Sequence, residues 1–292
     1  MIVKFTTHPH IGDNVICTGA VRNVRLEHPE IRFAMPEACR EIYAGNDDFT
    51  EEVSYREIPK ITYGSLDAEK HGARGTVIQA YTRSLCELLS IPLVPIRVER
   101  PVLVLSDYEK EWSGQWNDCI LLNGNFQNCS VSKGYPHWQD VVDQLGDVRI
   151  IQIGGNEARD VSPNLSGVED MRGKTNLRQL MAMAYGCRCI VSPPSAISNI
   201  GAAFEKPQVI VNASREPDIL LGYKNAVHVS HKCSCGWGVD TGCVACRVIA
   251  GTRACPYPVP KDGLNWCKCQ YETPPADVVR AVKEVYNCNQ IA

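Results

Sequence analysis

Residues 187–213 read CRCIVSPPSAISNIGAAFEKPQVIVNA, and this stretch decides the fold. The apolar runs around Ile190–Val191 and Val209–Val211 are short and rich in β-branched residues, as buried strands are. Between them, SAISNIGAAF reads as a helix that opens directly after Pro193 and Pro194. A strand, a turn, a helix and a second strand with almost nothing between them form a β-α-β unit. Its strands lie parallel and its crossover is right-handed.

The pattern extends upstream. KTNLRQLMAMAYG (174–186) reads as a helix and VRIIQIGG (148–155) as a strand. HWQDVVDQLG (137–146) is a helix closed by Gly146, and DCILLNG (118–124) is a strand. The N-terminal part repeats the theme. IVKFTT (2–7) reads as a strand, and residues 15–28 as a helix with Val15, Cys17, Val21, Val24 and Leu26 on its inner stripe. IRFAM (31–35) is the next strand, and PEACREIYAG (36–45) the next helix, with Pro36 in its first turn and Gly45 at its end. A third strand is expected over 53–58 and a helix over 76–89, and residues 94–106 are extended around Pro101. The polar segment 107–114 separates the two series. The expected architecture is α/β with two facing Rossmann-like domains, 1–110 and 111–292, the second ending in a helix over 274–286. Ligands of such folds bind at the carboxyl ends of the strands, here in the gap between the domains.

The 292 residues are 44% hydrophobic and 22% charged, typical of a globular chain, with a formal charge of −3. That balance offers no electrostatic footprint for a nucleic-acid backbone. No apolar run reaches the length of a membrane span, and no export signal opens the chain, so a cytoplasmic protein is expected. The 15 cysteines are uneven, with Cys233, Cys235, Cys243, Cys246, Cys255, Cys267 and Cys269 crowded into 233–269. Cys243-x-x-Cys246 is the spacing that lets two thiolates share one tetrahedral ion. Cys255 and Cys269 (or Cys267) would complete four ligands, and Cys233 with Cys235 offers an alternative pair. In a chain without an export signal this set points to structural zinc, or to iron in the same geometry, ahead of free thiols or disulfides. Four protein thiolates leave no position open for substrate, so the ion would be structural.

Three places carry chemistry. In THPHIGDNVICTG (7–19), Asp13 follows the first strand at the start of a helix. A carboxylate there is either an N-cap or an acid aimed into the interdomain gap. At SPPSA (192–196), the N–H groups near Ser195 and Ala196 suit a diphosphate. In NCSVSKGYPHW (128–138), Lys133 precedes a helix and becomes a diphosphate clamp if it shares that gap, or a solvated surface charge if it does not.

Four blocks in order resemble glycosyltransferase family 9: IGDNVICTGAVRNVRLEHPEIRF (11–33), SKGYPHWQDVVDQL (132–145), RGKTNLRQLMAMAYGCRCIVSPPSAISNIGAAFEKPQVIV (172–211) and CQYETPPADVVRAV (269–282). The family includes ADP-heptose lipopolysaccharide and autotransporter heptosyltransferases. The resemblance implies a GT-B fold and inverting transfer of a sugar from a nucleotide-diphosphate donor, without a catalytic metal. It implies Asp13 as general base for the acceptor hydroxyl, and Lys133, Ser195, Ala196 and Asn199 at the donor. Some cysteine-rich relatives hold iron in a comparable C-terminal insert linked to assembly, which leaves a homo-oligomer open here. Where the family commonly has Asn-Asp-Ser-Gly and then His, this chain has Pro193, Pro194, Ser195, Ala196 and later Asn199. The acid replaced by Pro194 is a donor-sugar contact in heptosyltransferases. Glu216, in SREPD (214–218), stands after what reads as the last strand of the second domain and is a ribose or base contact by the same resemblance, or part of a surface loop. His8 and His10 flank Asp13 and either touch acceptor or phosphate, or pack the loop.

The sequence thus supports a glycosyltransferase whose acceptor is a lipopolysaccharide, a protein hydroxyl or a modified nucleobase. The alternative is a nucleotide-sugar-binding or assembly protein that keeps the cleft and lacks turnover.

Overall fold

The computed structural model describes residues 1–7, 10–52, 54–61, 75–127, 133–155, 160–212, 218–231, 255 and 257–288. The N-terminal half contains β1 (Ile2–Lys4), α1 (Ile11–Glu27), β2 (Arg32–Ala34), β3 (Phe49–Thr50), β4 (Arg56–Glu57) and α2 (Val77–Leu89). Its four strands are parallel in the order β3-β2-β1-β4. Val3, Phe5 and Phe33 from the sheet pack with Val15, Val21 and Val24 of α1 and Ile78, Tyr81 and Leu85 of α2, all fully buried. Helix α2 is held at its start by a reciprocal cap, in which Thr76 Oγ1 accepts from Gln79 N and Gln79 Oε1 accepts from Thr76 N.

An extended connector, residues 90–106, then crosses α1. Its backbone N–H groups need acceptors, and buried polar side chains of α1 supply them. Asn23 Oδ1 accepts from Arg97 N and Val98 N at 2.9 and 2.8 Å, and Thr18 Oγ1 accepts from Val102 N at 2.8 Å. Gly19 makes the approach possible, since a Cβ there would stand 2.5 Å from the Arg100 carbonyl oxygen.

The C-terminal half adds α3 (Asp107–Ser113), β5 (Ile120–Asn123), β6 (Phe126–Gln127), α4 (Trp138–Leu145), β7 (Ile150–Ile153), β8 (Asp160–Val161), β9 (Glu169–Asp170) and α5 (Leu177–Gly186). It continues with β10 (Cys189–Ser192), α6 (Ala196–Ala203), β11 (Gln208–Asn212), β12 (Ala226–Ser230), β13 (Pro258–Lys261), β14 (Leu264–Cys267), α7 (Lys268–Glu272) and α8 (Pro275–Cys288). Six strands form a parallel sheet in the order β12-β11-β10-β5-β7-β9, and β6-β8 and β13-β14 are small antiparallel pairs. Successive residues of the central strands feed opposite faces. Leu121, Ile151, Ile190 and Ile210 pack towards α5 and α6, in a core continuous with that of the N-terminal half. Ile120, Leu122, Val191 and Val209 pack towards α4 and α8. The halves are also tied by Arg178 of α5, which pairs with Glu109 of α3 and donates to the Glu41 and Val104 carbonyls.

Several sequence expectations are corrected. Helix α1 begins at Ile11, four residues before the expected Val15. The helix expected over 36–45 is reduced to a 3-10 turn at Arg40–Ile42, because Cys39 takes a left-handed conformation (φ 54°) that cannot continue a right-handed helix. Among the described residues, the strand expected over 53–58 is Arg56–Glu57, and β3 is an edge strand with too few residues to leave a periodic signal. The polar segment 107–114 is helix α3, started by the Ser106–Glu109 capping pair. SREPD is followed by a further strand, β12, whose AVHVS sequence alternates because it lies at the edge of the sheet. No helix of the described residues is long and apolar enough to cross a membrane.

Candidate active site at two converging helix N-termini

The carboxyl end of β1 leads into α1, and that of β10 into α6, and the first turns of these helices meet. A Cβ on Gly12, the second residue of α1, would lie 3.6 Å from Ala196 Cα, 3.8 Å from Ala196 N and 3.2 Å from Asn199 Nδ2. Glycine at position 12 therefore sets how closely the two N-termini approach. Both termini present amide N–H groups without intrahelical acceptors and the positive ends of their dipoles. Brought together, they form a place that favours an anion.

Asp13 stands at this junction. It is not the cap of α1, a position held by His10, whose side chain makes no capping bond. The half-buried Asp13 carboxylate instead accepts, on Oδ1, a short hydrogen bond from the Tyr81 hydroxyl of α2. The next residue fixes the turn. Asn14 is fully buried, donates through Nδ2 to the His10 carbonyl at 2.9 Å and accepts from Tyr43 at 2.6 Å. One turn further, burial and the nearby Asp13 charge push the Cys17 thiol well above its ordinary range, so it stays protonated.

On the opposite side, Ser195 precedes α6. Its N–H donates to Ser198 Oγ at 3.0 Å, and its hydroxyl accepts from Asn123 Nδ2, at the end of β5, at 3.3 Å. The Ser195 amide is thus already engaged within the turn, and an anion here draws on the first-turn amides from Ala196 onward. Asn199 is buried. Its Oδ1 accepts from Tyr223 at 2.8 Å, which turns Nδ2 towards Gly12. Burial raises the Tyr223 hydroxyl far above its usual range, which keeps it a neutral donor. Along the same sheet edge, Ser192 Oγ and Asn212 Oδ1, at the ends of neighbouring strands, are buried without a hydrogen-bond partner among the described residues.

The other expected residues fall as follows. Lys133 is half-buried in the segment that leaves the carboxyl end of β5, next to Gly134, which packs beneath Phe126 and Trp266. His10 is exposed, while His8 and Glu216 lie outside the described residues. Asp218, near Glu216 in sequence, accepts from Asn212 Nδ2 at 2.6 Å, and the same Nδ2 lies 2.9 Å from His228 Nδ1. Burial lowers the His228 pKa, favouring the neutral ring. Of the cysteine set, Cys267 and Cys269 are buried and pack with Cys255. Cys233, Cys235, Cys243 and Cys246 lie outside the described residues. Among the described residues no group of three or more His, Cys, Asp or Glu is arranged to hold a metal ion. Sequence reasoning missed Tyr81, Asn123 and Tyr223. Tyr81 sits on the apolar stripe of its helix and reads as core, and no local spacing links it to Asp13.

Residues 122–247 match the model of glycosyltransferase family 9 (heptosyltransferase). No curated protein sequence matches the chain. Among solved structures, the fold is similar to E. coli ADP-heptose lipopolysaccharide heptosyltransferase II, with a TM-score of 0.65 at 13% identity over 99% of each chain. It is similar to a family 9 glycosyltransferase of Veillonella parvula, with a TM-score of 0.63 at 12% identity over 98% of this chain and 96% of that one. It also resembles the iron-containing dodecameric glycosyltransferase TibC of enterotoxigenic E. coli, with a TM-score of 0.62 at 15% identity over 99% of this chain and 76% of TibC. The fold is therefore the α/β GT-B type expected from the sequence, and residues 122–247 are similar to the family 9 model.

Proposed function

We propose that the protein is an inverting glycosyltransferase that moves a sugar from a nucleotide-diphosphate donor to an acceptor hydroxyl, with Asp13 as the general base. Residues 1–110 would hold the acceptor and 111–292 the donor. The observation that carries this reading is Asp13 itself, next to Gly12 where two helix N-termini meet, with a half-buried carboxylate that accepts on one oxygen from Tyr81. Its Oδ2 takes the proton from the acceptor hydroxyl while that oxygen bonds the anomeric carbon. The bond from the anomeric carbon to the diphosphate breaks, and its electron pair leaves with the diphosphate. A sugar or protein hydroxyl is a poor nucleophile, and a positioned base contributes roughly 100- to 10,000-fold. The α6 amides from Ala196, with Lys133, stabilise the charge that develops on the leaving group. Pro194, in place of the family's acid, favours a donor sugar other than heptose. The Ser192 and Asn212 oxygens at the strand ends, without a partner among the described residues, suit a polar ligand on that side of the sheet.

The test is a panel of nucleotide sugars, with donor hydrolysis and transfer measured for wild type and Asp13→Ala. The variant is expected to lose at least about 100-fold in turnover with donor affinity retained. Undiminished turnover in Asp13→Ala, or tight nucleotide binding by a wild type that never turns over, overturns the assignment; the latter supports a binding protein.

The cysteine set is proposed to hold structural zinc or iron through Cys243, Cys246, Cys255 and Cys269, with Cys233, Cys235 and Cys267 as alternates. The Cys-x-x-Cys spacing and the packing of Cys255, Cys267 and Cys269 support it.

A further inference from the structure

We propose that Tyr81 is the positioning residue of the catalytic base, an inference that rests on the role of Asp13 given above. Tyr81 is fully buried on the inner face of α2, and its hydroxyl donates to Asp13 Oδ1. The helix that carries it has little freedom. The Thr76–Gln79 cap fixes its start, and Ile78, Leu85 and Leu89 bury its face in the shared core. The donor is therefore anchored on a capped helix whose inner face is buried, 68 residues from the acid it holds.

This arrangement sorts the two carboxylate oxygens. An ionised carboxylate accepts through both, and a carboxylate without a fixed partner turns freely about its last torsion. A charge-assisted bond to one oxygen removes that freedom and leaves Oδ2 to face the acceptor hydroxyl. The tyrosine keeps its own proton throughout the reaction. The proton of the acceptor goes to Oδ2, and the electron pair of the broken sugar–phosphate bond leaves with the diphosphate. Tyr81 touches no reacting atom; it acts through Asp13.

A buried tyrosine whose hydroxyl is simply satisfied by the nearest acceptor has the same bond, so the experiment must separate the two roles. Tyr81→Phe keeps the ring in the core and removes only the O–H. For a positioning residue, kcat falls about tenfold while KM for the donor nucleotide sugar stays within about twofold. The cycle is closed with Asp13→Asn and with Asp13→Asn/Tyr81→Phe. The second substitution then costs nothing further, because the group it orients is gone. Nucleotide affinity, measured by thermal shift with the nucleoside diphosphate alone, is unchanged in all four proteins. The inference is overturned if Tyr81→Phe turns over at the wild-type rate, or if its loss is as large in the Asp13→Asn background as in the wild type. If Asp13→Asn itself leaves turnover intact, the glycosyltransferase reading fails first and takes this inference with it.

Discussion

The close approach of α1 and α6 at Gly12 yields a quantitative prediction. In Gly12→Ala the new methyl would stand 3.2 Å from Asn199 Nδ2 and 3.6 Å from Ala196 Cα, so the nearer neighbour must give by a few tenths of an ångström. Asn199 is buried and held through Oδ1 by Tyr223, so it cannot swing aside without losing that bond. The strain is therefore shared by the two helix ends. Overpacking of this kind costs ~1–3 kcal/mol. Replacing glycine by alanine within a helix returns at most about 1 kcal/mol. The net destabilisation is thus about 1 kcal/mol, a fall in Tm of roughly 2–4 °C for a chain of this size. The effect on rate should exceed the effect on stability, because Asp13 is the next residue. A misplacement of about 1 Å costs ~100-fold, so a few tenths correspond to a loss of roughly three- to tenfold in kcat. Initial rates with the nucleotide sugar that the wild type uses, alongside thermal melts, measure both quantities. Adding Asn199→Ala removes the amide that the methyl meets, and the double variant should regain most of the lost rate despite losing the Tyr223 bond. Full activity in Gly12→Ala, or a double variant slower than either single one, refutes the argument that this spacing sets the geometry of the acid.

Two further outcomes are expected. The Arg178 guanidinium holds the Glu109 carboxyl down at about 2, against an ordinary value of 4.5. Depression of a carboxyl in the folded state means that its stabilisation is complete above pH 4.5 and is lost as the pH falls towards 2. Glu109→Gln keeps the capping acceptor for Ser106 and removes the charge. It should lower stability by about 1–2 kcal/mol at pH 7, a range reduced for partial solvent screening. Urea midpoints of the two proteins should converge as the pH is lowered through that window, and a gap independent of pH contradicts the pairing. For the cysteine set, elemental analysis of purified protein should find zinc or iron near one equivalent, and chelation should lower Tm without altering the pH dependence of turnover. Metal below about half an equivalent excludes the proposed ion.

The readable and unreadable parts of this chain divide along a physical line. Strands β5, β7, β10 and β11 and helices α4, α5, α6 and α8 were legible because each is buried along a face or on both, and burial writes a local hydrophobic pattern. The strands of the N-terminal sheet are two or three residues long and stabilised by their neighbours, so β3 and the limits of β4 left no pattern to read. The expected helix at 36–45 failed on a single left-handed residue, Cys39, which composition does not foretell. Helix α3 reads in the sequence only as a polar segment between the two series, because its stability comes from a cap and from Arg178, with little apolar periodicity.

By itself, the sequence determined the alternation of strands and helices, and through it an α/β chain of two parallel sheets with an acid and a serine-rich turn at strand ends. These are local properties, fixed by the periodicity of side chains along one segment. Only the tertiary structure decided that Asp13 is not a cap, that its neighbour Gly12 lies against the start of α6, and that Tyr81 holds one of the Asp13 oxygens. Such relations join residues distant along the chain, and they come into being only when packing the shared core brings α1, α2 and α6 together.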